Sequence, residues 1–394
     1  MTNSELNRRA FIKSSIAGAA LLATPTLSYL GVQGKATANG SGKPITRPLG
    51  NTGIQLPIVS MGVMRADNPG LVRSALQAGF VHLDTAHAYQ KGKNEQMLGE
   101  VLKDYPRESF VIATKIPPDD RESFLAKLDT SLERLKMKYV DILYLHGLSS
   151  KEDVLSADQL DTLKAAKESG KARFVGVSTH KNEPEVILAA IESGVYNVVL
   201  TSVNFKQDHY SDVRAAIAKA AEAGIGIVAM KTMAGGFFDK EKTKPVNCKA
   251  ALKWVLQDGN VTTAIPGITT FDMLAENASV NQDLTMTDKE KGDLALGHSE
   301  PGLYCQGCER CVPHCPERLP IPDIMRSYMY AHGYNNAAMA QTLLAELQLP
   351  SHPCADCTEC QVTCAKGFRV AERIADVTRL TSVPAEFLSG GIIV

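Results

Sequence analysis

Between residues 58 and 268, eight short runs rich in valine and isoleucine alternate with stretches of helical period, and few architectures accept that order. The runs lie at 58–63, 80–85, 110–116, 140–146, 174–178, 198–204, 226–231 and 263–268. Most lack strict polar alternation, as parallel strands buried on both faces do. Helical patterns fill the gaps at 121–136, 156–169, 183–193, 211–223 and 249–257. Eight strand–helix units are the tally of an α/β fold closed as a (β/α)8 TIM barrel. A doubly wound open sheet is the alternative, but it is expected to carry a Gly-rich turn after its first strand. Gly62-Val63-Met64-Arg65 stands there instead. Upstream, residues 47–57 with Gly50-Asn51-Thr52-Gly53 at their centre read as a hairpin that would plug the bottom of the barrel.

The N-terminus reads as an address. Asn7-Arg8-Arg9-Ala10-Phe11-Ile12-Lys13 precedes a mild apolar run over 16–30, broken by Gly18 and Pro25, and then Ala36-Thr37-Ala38. Paired arginines, a weak apolar run and a small-x-small site resemble a twin-arginine (Tat) export signal spanning residues 1–38. The alternative is a tail with a chance Arg-Arg. The Tat machinery carries folded proteins, so the mature chain is expected outside the cytoplasm, periplasmic or extracytoplasmic. No later run is long and apolar enough to span a bilayer. A formal net charge of -1 argues against nucleic acid as a partner.

Barrel enzymes place chemistry at the C-terminal ends of strands. Asp84, Tyr89, Lys115 and His146 all fall at or just beyond such ends. Carbonyl reduction needs hydride on carbon and a proton on oxygen. A tyrosine can give that proton, and a nearby ammonium is expected to lower its pKa from about 10. A carboxylate would fix the ammonium, and a histidine would orient the carbonyl. The other reading is a buried Asp84–Lys115 ion pair and a rim histidine without catalytic role.

These residues resemble the aldo-keto reductase superfamily, whose tetrad is Asp, Tyr, Lys and His. The flanking text is similar as well: Asp84-Thr85-Ala86-x-x-Tyr89 leads to Asn94-Glu95 and Leu98-Gly99. Ser131-Leu132-x-Arg134-Leu135 precedes Tyr139-Val140-Asp141, Gly176-Val177-Ser178-Thr179 closes the fifth run, and Glu276-Asn277 follows the eighth. The resemblance covers residues 49–281 and implies a barrel domain over about 45–290. It implies catalytic roles for Asp84, Tyr89, Lys115 and His146, and a nicotinamide cofactor, NAD or NADP. The nucleotide contacts it implies are Ser178, Thr179, Asn204, Gly267, Thr270, Glu276 and Asn277, with Gly235 and Gly236 near the pyrophosphate. Two departures stand out. Met230 occupies the position where relatives stack an aromatic on the nicotinamide, and the loop 265–273 has no basic residue for a 2′-phosphate. NAD is therefore expected to serve at least as well as NADP.

Eight of the nine cysteines lie between Cys305 and Cys364. Cys305-x2-Cys308-x2-Cys311-x3-Cys315-Pro316 has the spacing of bacterial ferredoxin cluster runs, and Cys354-x2-Cys357-x2-Cys360-x3-Cys364 repeats it, with Ala365 in place of the proline. In two-cluster proteins the fourth cysteine of each run serves the other cluster. Cys305, Cys308, Cys311 and Cys364 are thus expected to hold one 4Fe-4S cluster, and Cys354, Cys357, Cys360 and Cys315 a second. Helical patterns at 321–331 and 337–346, after Pro320-Ile321-Pro322, resemble the α-helical dicluster ferredoxin domains. That implies a small ferredoxin-like domain over about 300–382, a tail some aldo-keto-reductase-like proteins carry. Zinc and disulfides also use paired cysteines, but two closely spaced sets of four suit neither well. Cys248 reads as a core thiol.

Together the parts predict an exported oxidoreductase acting on a small carbonyl or alcohol substrate, with a one-electron redox partner for the clusters. The competing reading is an electron-transfer or redox-sensing module whose barrel is a binding scaffold.

Overall fold

The computed structural model describes residues 44–239, 243–300, 302–349, 352–354, 357 and 360–388. The export signal expected over 1–38 lies outside the described residues. The described residues belong to one compact unit.

The predicted hairpin forms first. Strand β1 (Thr46–Pro48) pairs antiparallel with β2 (Gln55–Pro57), Arg47 opposite Leu56. Its turn passes through left-handed backbone at Gly50 and Gly53, and a Cβ on Gly50 would stand 2.3 Å from the Gly224 carbonyl oxygen. Eight parallel strands follow: β3 (Met61–Gly62), β4 (His82–Asp84), β5 (Val111–Ile116), β6 (Val140–Leu145), β7 (Ala172–Thr179), β8 (Val198–Ser202), β9 (Gly226–Met230) and β10 (Thr263–Ala264). They neighbour one another in chain order. Parallel bridges Val59–Ala264 and Gly62–Gly267 join the last strand to the first and close the barrel.

The helices around it are α1 (Pro69–Gln77), α2 (Lys93–Leu102), α3 (Arg121–Leu135), α4 (Lys151–Val154), α5 (Ala157–Glu168), α6 (Glu183–Ser193), α7 (Tyr210–Glu222), α8 (Cys248–Leu256), α9 (Phe271–Val280) and α10 (Asp288–Ser299). Their starts follow local capping chemistry. Asn68 caps α1 with Pro69 behind it, Asp120 accepts from Ser123 N at 3.0 Å at the head of α3, and Thr287 with Glu290 makes a capping box on α10. Leu49, Ile54 and Leu56 of the hairpin pack inside the barrel with Tyr144, Val198 and Val228, so the hairpin is the floor of the site. Leu56 is fully buried, and truncating it to alanine should cost about 2–5 kcal/mol.

Beyond the barrel come α11 (Ile321–Tyr328), a π-helical turn (Met329–Gly333), α12 (Ala337–Glu346), α13 (Val370–Thr378) and α14 (Ala385–Leu388). Ile321, Ile324, Met325, Leu344, Val370, Ile374 and Val377 form their own apolar core, which includes Cys311 and Cys315. This is the helical pair expected between the two cysteine runs. Among the described residues, no helix is long and apolar enough to cross a membrane.

Candidate active site

The strand ends gather the four expected side chains. The Lys115 ammonium lies 2.5 Å from Asp84 Oδ1 and 2.6 Å from the Thr85 carbonyl oxygen. It also sits 5.0 Å from the centre of the Tyr89 ring, and that ring meets His146 edge-on at 6.2 Å between centroids. Burial pushes Lys115 down and Asp84 up, and their contact opposes both shifts. Burial, Lys115 and Arg326 together hold His146 down to about 3, so its imidazole stays neutral and can hydrogen-bond a carbonyl.

Tyr89 departs from expectation. Its pKa is raised well above the ordinary value, first by burial, then by Asp84, Tyr330 and Tyr334. Burial prevails over the nearby lysine, which hydrogen-bonds Asp84 and a backbone carbonyl. Tyr89 is therefore a protonated phenol across the neutral range, an acid fit to donate and a poor base.

The loop carrying Tyr89 is strained and held from below. Gln90 and Lys91 adopt left-handed backbone at φ 52° and 56°. Thr85 Oγ1 donates to Asn94 Oδ1 at 2.6 Å, and Asn94 Nδ2 donates to the Val63 carbonyl at 2.8 Å. Thr114 donates to Glu95 at 2.7 Å, and Arg134 reaches both Glu95 (3.3 Å) and the His87 carbonyl (3.0 Å). The Asn94-Glu95 and Arg134 motifs thus hold the segment that carries Tyr89.

The expected nucleotide contacts divide. Ser178 is fully buried, its hydroxyl accepting from Gly147 N at 2.9 Å, and Thr179 donates to the Lys181 carbonyl at 2.6 Å. Asn204 donates to Gln306 at 3.0 Å, and Gly235 lies against Tyr304. Gly236 takes φ 80° with no atom within 4 Å of an added Cβ. Gly267, Thr270 and Glu276 are exposed, Thr270 caps α9, and Asn277 is buried. Met230 belongs to the barrel interior.

Sequence reasoning missed a set of residues at the same mouth. His180, Ser202 and Lys231 line a pocket with Cys305, Asp323 and Arg326, which the C-terminal segment supplies. Burial and Arg326 bring Lys231 down to about 8. Lys231 directly follows the seventh barrel strand, and that position was its one signal in the sequence.

The cysteines fall into two sets. Cys305, Cys308, Cys311 and Cys364 line one pocket, with Phe368 and Lys366. Cys354 lies within electrostatic reach of Cys357, Cys360 and Cys315. Each set draws on both sequence runs. Among the described residues every cysteine is free of disulfides, and no three His, Cys, Asp or Glu side chains converge as a single metal ion would need. A cubane takes one thiolate at each of four irons, so its cysteines surround a volume rather than meet at a point. Other details fit such a group. Gly307 N donates to Cys305 Sγ and Lys366 N to Cys364 Sγ, both at 3.4 Å, and Arg310 lies within electrostatic reach of Cys308. Burial, then neighbouring thiols, push Cys311 up to about 12; a cationic metal core would relieve both.

Residues 62–250, most of the barrel, match the aldo/keto reductase family. An aldo-keto reductase of Mycolicibacterium smegmatis is 29% identical over 259 residues, covering 60% of this chain and 90% of the relative. The methylglyoxal reductase DkgB of Escherichia coli O157:H7 is 26% identical over 255 residues, covering 61% and 92%. In fold the chain is similar to the holo form of an aldo-keto reductase, AKR11C1, from Bacillus halodurans. That match has a TM-score of 0.55 at 20% identity, covering 64% of this chain and 96% of that one.

Proposed function

We propose that this chain is an exported iron–sulfur oxidoreductase that reduces a small carbonyl compound at the Asp84–Lys115–Tyr89–His146 site. That it is an oxidoreductase follows from its aldo/keto reductase match and the named reductases among its relatives. The observation carrying the carbonyl reading is the meeting of a protonated phenol and a neutral imidazole at one strand-end site. Tyr89 gives the oxygen its proton, His146 orients the carbonyl, and Lys115 with Asp84 keeps the phenol in place.

Two 4Fe-4S clusters belong to the reading because the eight thiols stand in two sets of four. Cys305, Cys308, Cys311 and Cys364 would hold one, and Cys315, Cys354, Cys357 and Cys360 the other. Bound there, the clusters supply one-electron steps, and a one-electron partner outside the chain exchanges with them. Export is supported by the paired arginines Arg8 and Arg9 and the Ala36-Thr37-Ala38 site. The small carbonyl class is supported by relatives such as the methylglyoxal reductase.

The test is anaerobic purification of the full chain from the exported fraction, followed by iron counting and assay on a panel of small aldehydes and ketones. About eight irons per chain with turnover lost in Tyr89→Phe is the expected result. An iron-free protein, or a Tyr89→Phe variant of undiminished turnover, would overturn it.

A further inference from the structure

The mouth of the barrel is roofed by the C-terminal segment. Asn204 Nδ2 donates to Gln306 Oε1 at 3.0 Å, and Gln306 Nε2 donates to the Tyr304 carbonyl at 3.0 Å. Tyr304 is 3% exposed, and a Cβ added to Gly235 would stand 2.4 Å from its ring. Gly307 comes so near the end of β7 that a Cβ on it would stand 3.0 Å from the His180 carbonyl oxygen. Lys181 pairs with Asp323 at 2.8 Å, and Asp208 takes both Lys366 and Arg310 at 2.5 Å. Arg65 lies over the Tyr334 ring at 5.0 Å. These ties run along one rim and join four separate barrel loops to the segment.

Set against the expected nucleotide contacts, the roof is selective. Gly267, Thr270 and Glu276, the residues after the eighth strand, stay open. Asn204 and Gly235, after the sixth and seventh strands, are already engaged by Gln306 and Tyr304. A dinucleotide needs both halves of its cleft at once. A dinucleotide that used both halves would have to displace residues 304–307. Those residues include Cys305, a member of the first thiol set, so the segment cannot leave without disturbing that set.

Cys305 has a second position of note. It forms part of the wall of the thiol pocket and also of the pocket holding His180, Ser202, Lys231 and Arg326. The latter pocket is short of partners. Ser202 is 3% exposed and its hydroxyl has no hydrogen bond, nor has His180 Nδ1. Among the described residues, Lys231 forms no ion pair. Arg326 links this space electrostatically to His146, and so to Tyr89.

We infer that this chain reduces its substrate without a nicotinamide nucleotide: residues 304–307 fill the part of the cleft after the sixth and seventh strands, and electrons reach the carbonyl from the Cys305 side. The inference rests on the oxidoreductase and cluster reading above and names the electron source for it. The balance closes. Turning a carbonyl into an alcohol breaks the C–O π bond, forms one C–H and one O–H bond, and consumes two electrons and two protons. Each cubane changes by one electron, so two together hold the pair. Tyr89 gives the proton that ends on oxygen and is reprotonated from water; the proton on carbon comes from water. A low-potential one-electron donor, reduced viologen in the assay, refills the clusters.

The experiment uses the full-length anaerobic holoprotein, with its iron count established first. NADH and NADPH are titrated while nicotinamide fluorescence is followed. Separately, the viologen-reduced protein, freed of excess donor, is mixed with a panel of small aldehydes, methylglyoxal included, and the visible cluster absorbance is recorded. The expected result is no saturable nucleotide binding and reoxidation by at least one aldehyde. Tyr89→Phe should slow that reoxidation about 100-fold or more while leaving the cluster spectrum unchanged. Saturable NADH or NADPH binding, with hydride passing to the same aldehyde, overturns the inference and leaves the carbonyl reading standing. Intact clusters that no aldehyde reoxidises, together with absent nucleotide binding, sink both. Reoxidation that Tyr89→Phe does not alter also overturns it, since the electrons would then bypass the site.

Discussion

Lys115 and Asp84 form a salt bridge at 2.5 Å in the mouth of the barrel, each side chain only 2% exposed. A pair so deeply buried constrains substitution in a particular way. Removing one partner strands the other charge, at a cost of about 3–5 kcal/mol. Asp84→Asn and Lys115→Met should each lower the unfolding midpoint, whereas the double variant Asp84→Asn/Lys115→Met should recover much of the loss. All three should lose carbonyl turnover. Urea unfolding beside aldehyde assays checks both halves; single variants as stable as the wild type would contradict the buried pairing.

Tyr89 and His146 set an expected pH profile. Tyr89 is kept protonated well above its ordinary range, and His146 is held neutral down to about 3. Neither group titrates near neutrality, so the reduction rate should be flat from about pH 5 to 9 on their account. Tyr89→Phe should reduce the rate by about 10²–10⁴-fold at every pH in that window. A wild-type rate that falls as a single ionisation near pH 7 would show another group to be the acid.

The cysteine sets make a prediction that sequence-local pairing does not. Cys311 and Cys364 share one set, and Cys315 sits with Cys354. The double variant Cys311→Ser/Cys364→Ser should keep the other set whole and retain about four irons. Cys311→Ser/Cys315→Ser, two neighbours in sequence, should damage both sets and fall well below that. Iron analysis with electron paramagnetic resonance of the reduced proteins separates the cases; equal iron in the two variants would refute the crossed arrangement.

His82 predicts acid sensitivity. It is fully buried, both ring nitrogens lack partners, and burial holds it down to about 4. In the unfolded chain it takes a proton near pH 6.5, while the folded form resists. Stability should therefore fall as pH drops from about 6.5 toward about 4, by up to about 1.4 kcal/mol per pH unit from this residue. His82→Phe should flatten that slope. Urea unfolding at pH 7 and pH 5.5 on both proteins measures it, and parallel slopes would remove His82 from the account.

How much of this was legible in the sequence depends on the range over which each feature is encoded. Strand β5 announces itself in Val111, Ile112 and Ile116, and Lys115 at its end needs only the strand's own pattern to be placed. The short spacers of the cysteine runs likewise fix which thiols share a loop. Tyr89 lies beside Lys115 and His146, while burial raises its pKa instead of the lysine lowering it. Its surroundings include Tyr330 and Tyr334, more than two hundred residues onward, and no local pattern reports that they close over it. The same holds for Gln306 on Asn204, 102 residues apart, and for Arg326 beside His146. Periodicity records which face of an element is buried; it does not record which distant element does the burying.

The crossing of the two cysteine runs also sets an order of assembly. The Cys305 pocket lacks its fourth thiol until α12 has been made and the chain has come back to Cys364. The roof over the barrel is part of that same segment. A nascent chain therefore lacks the complete pocket until residue 364 has been synthesised. The pocket around Cys305 and the roof over the barrel are thus completed by one and the same stretch of chain.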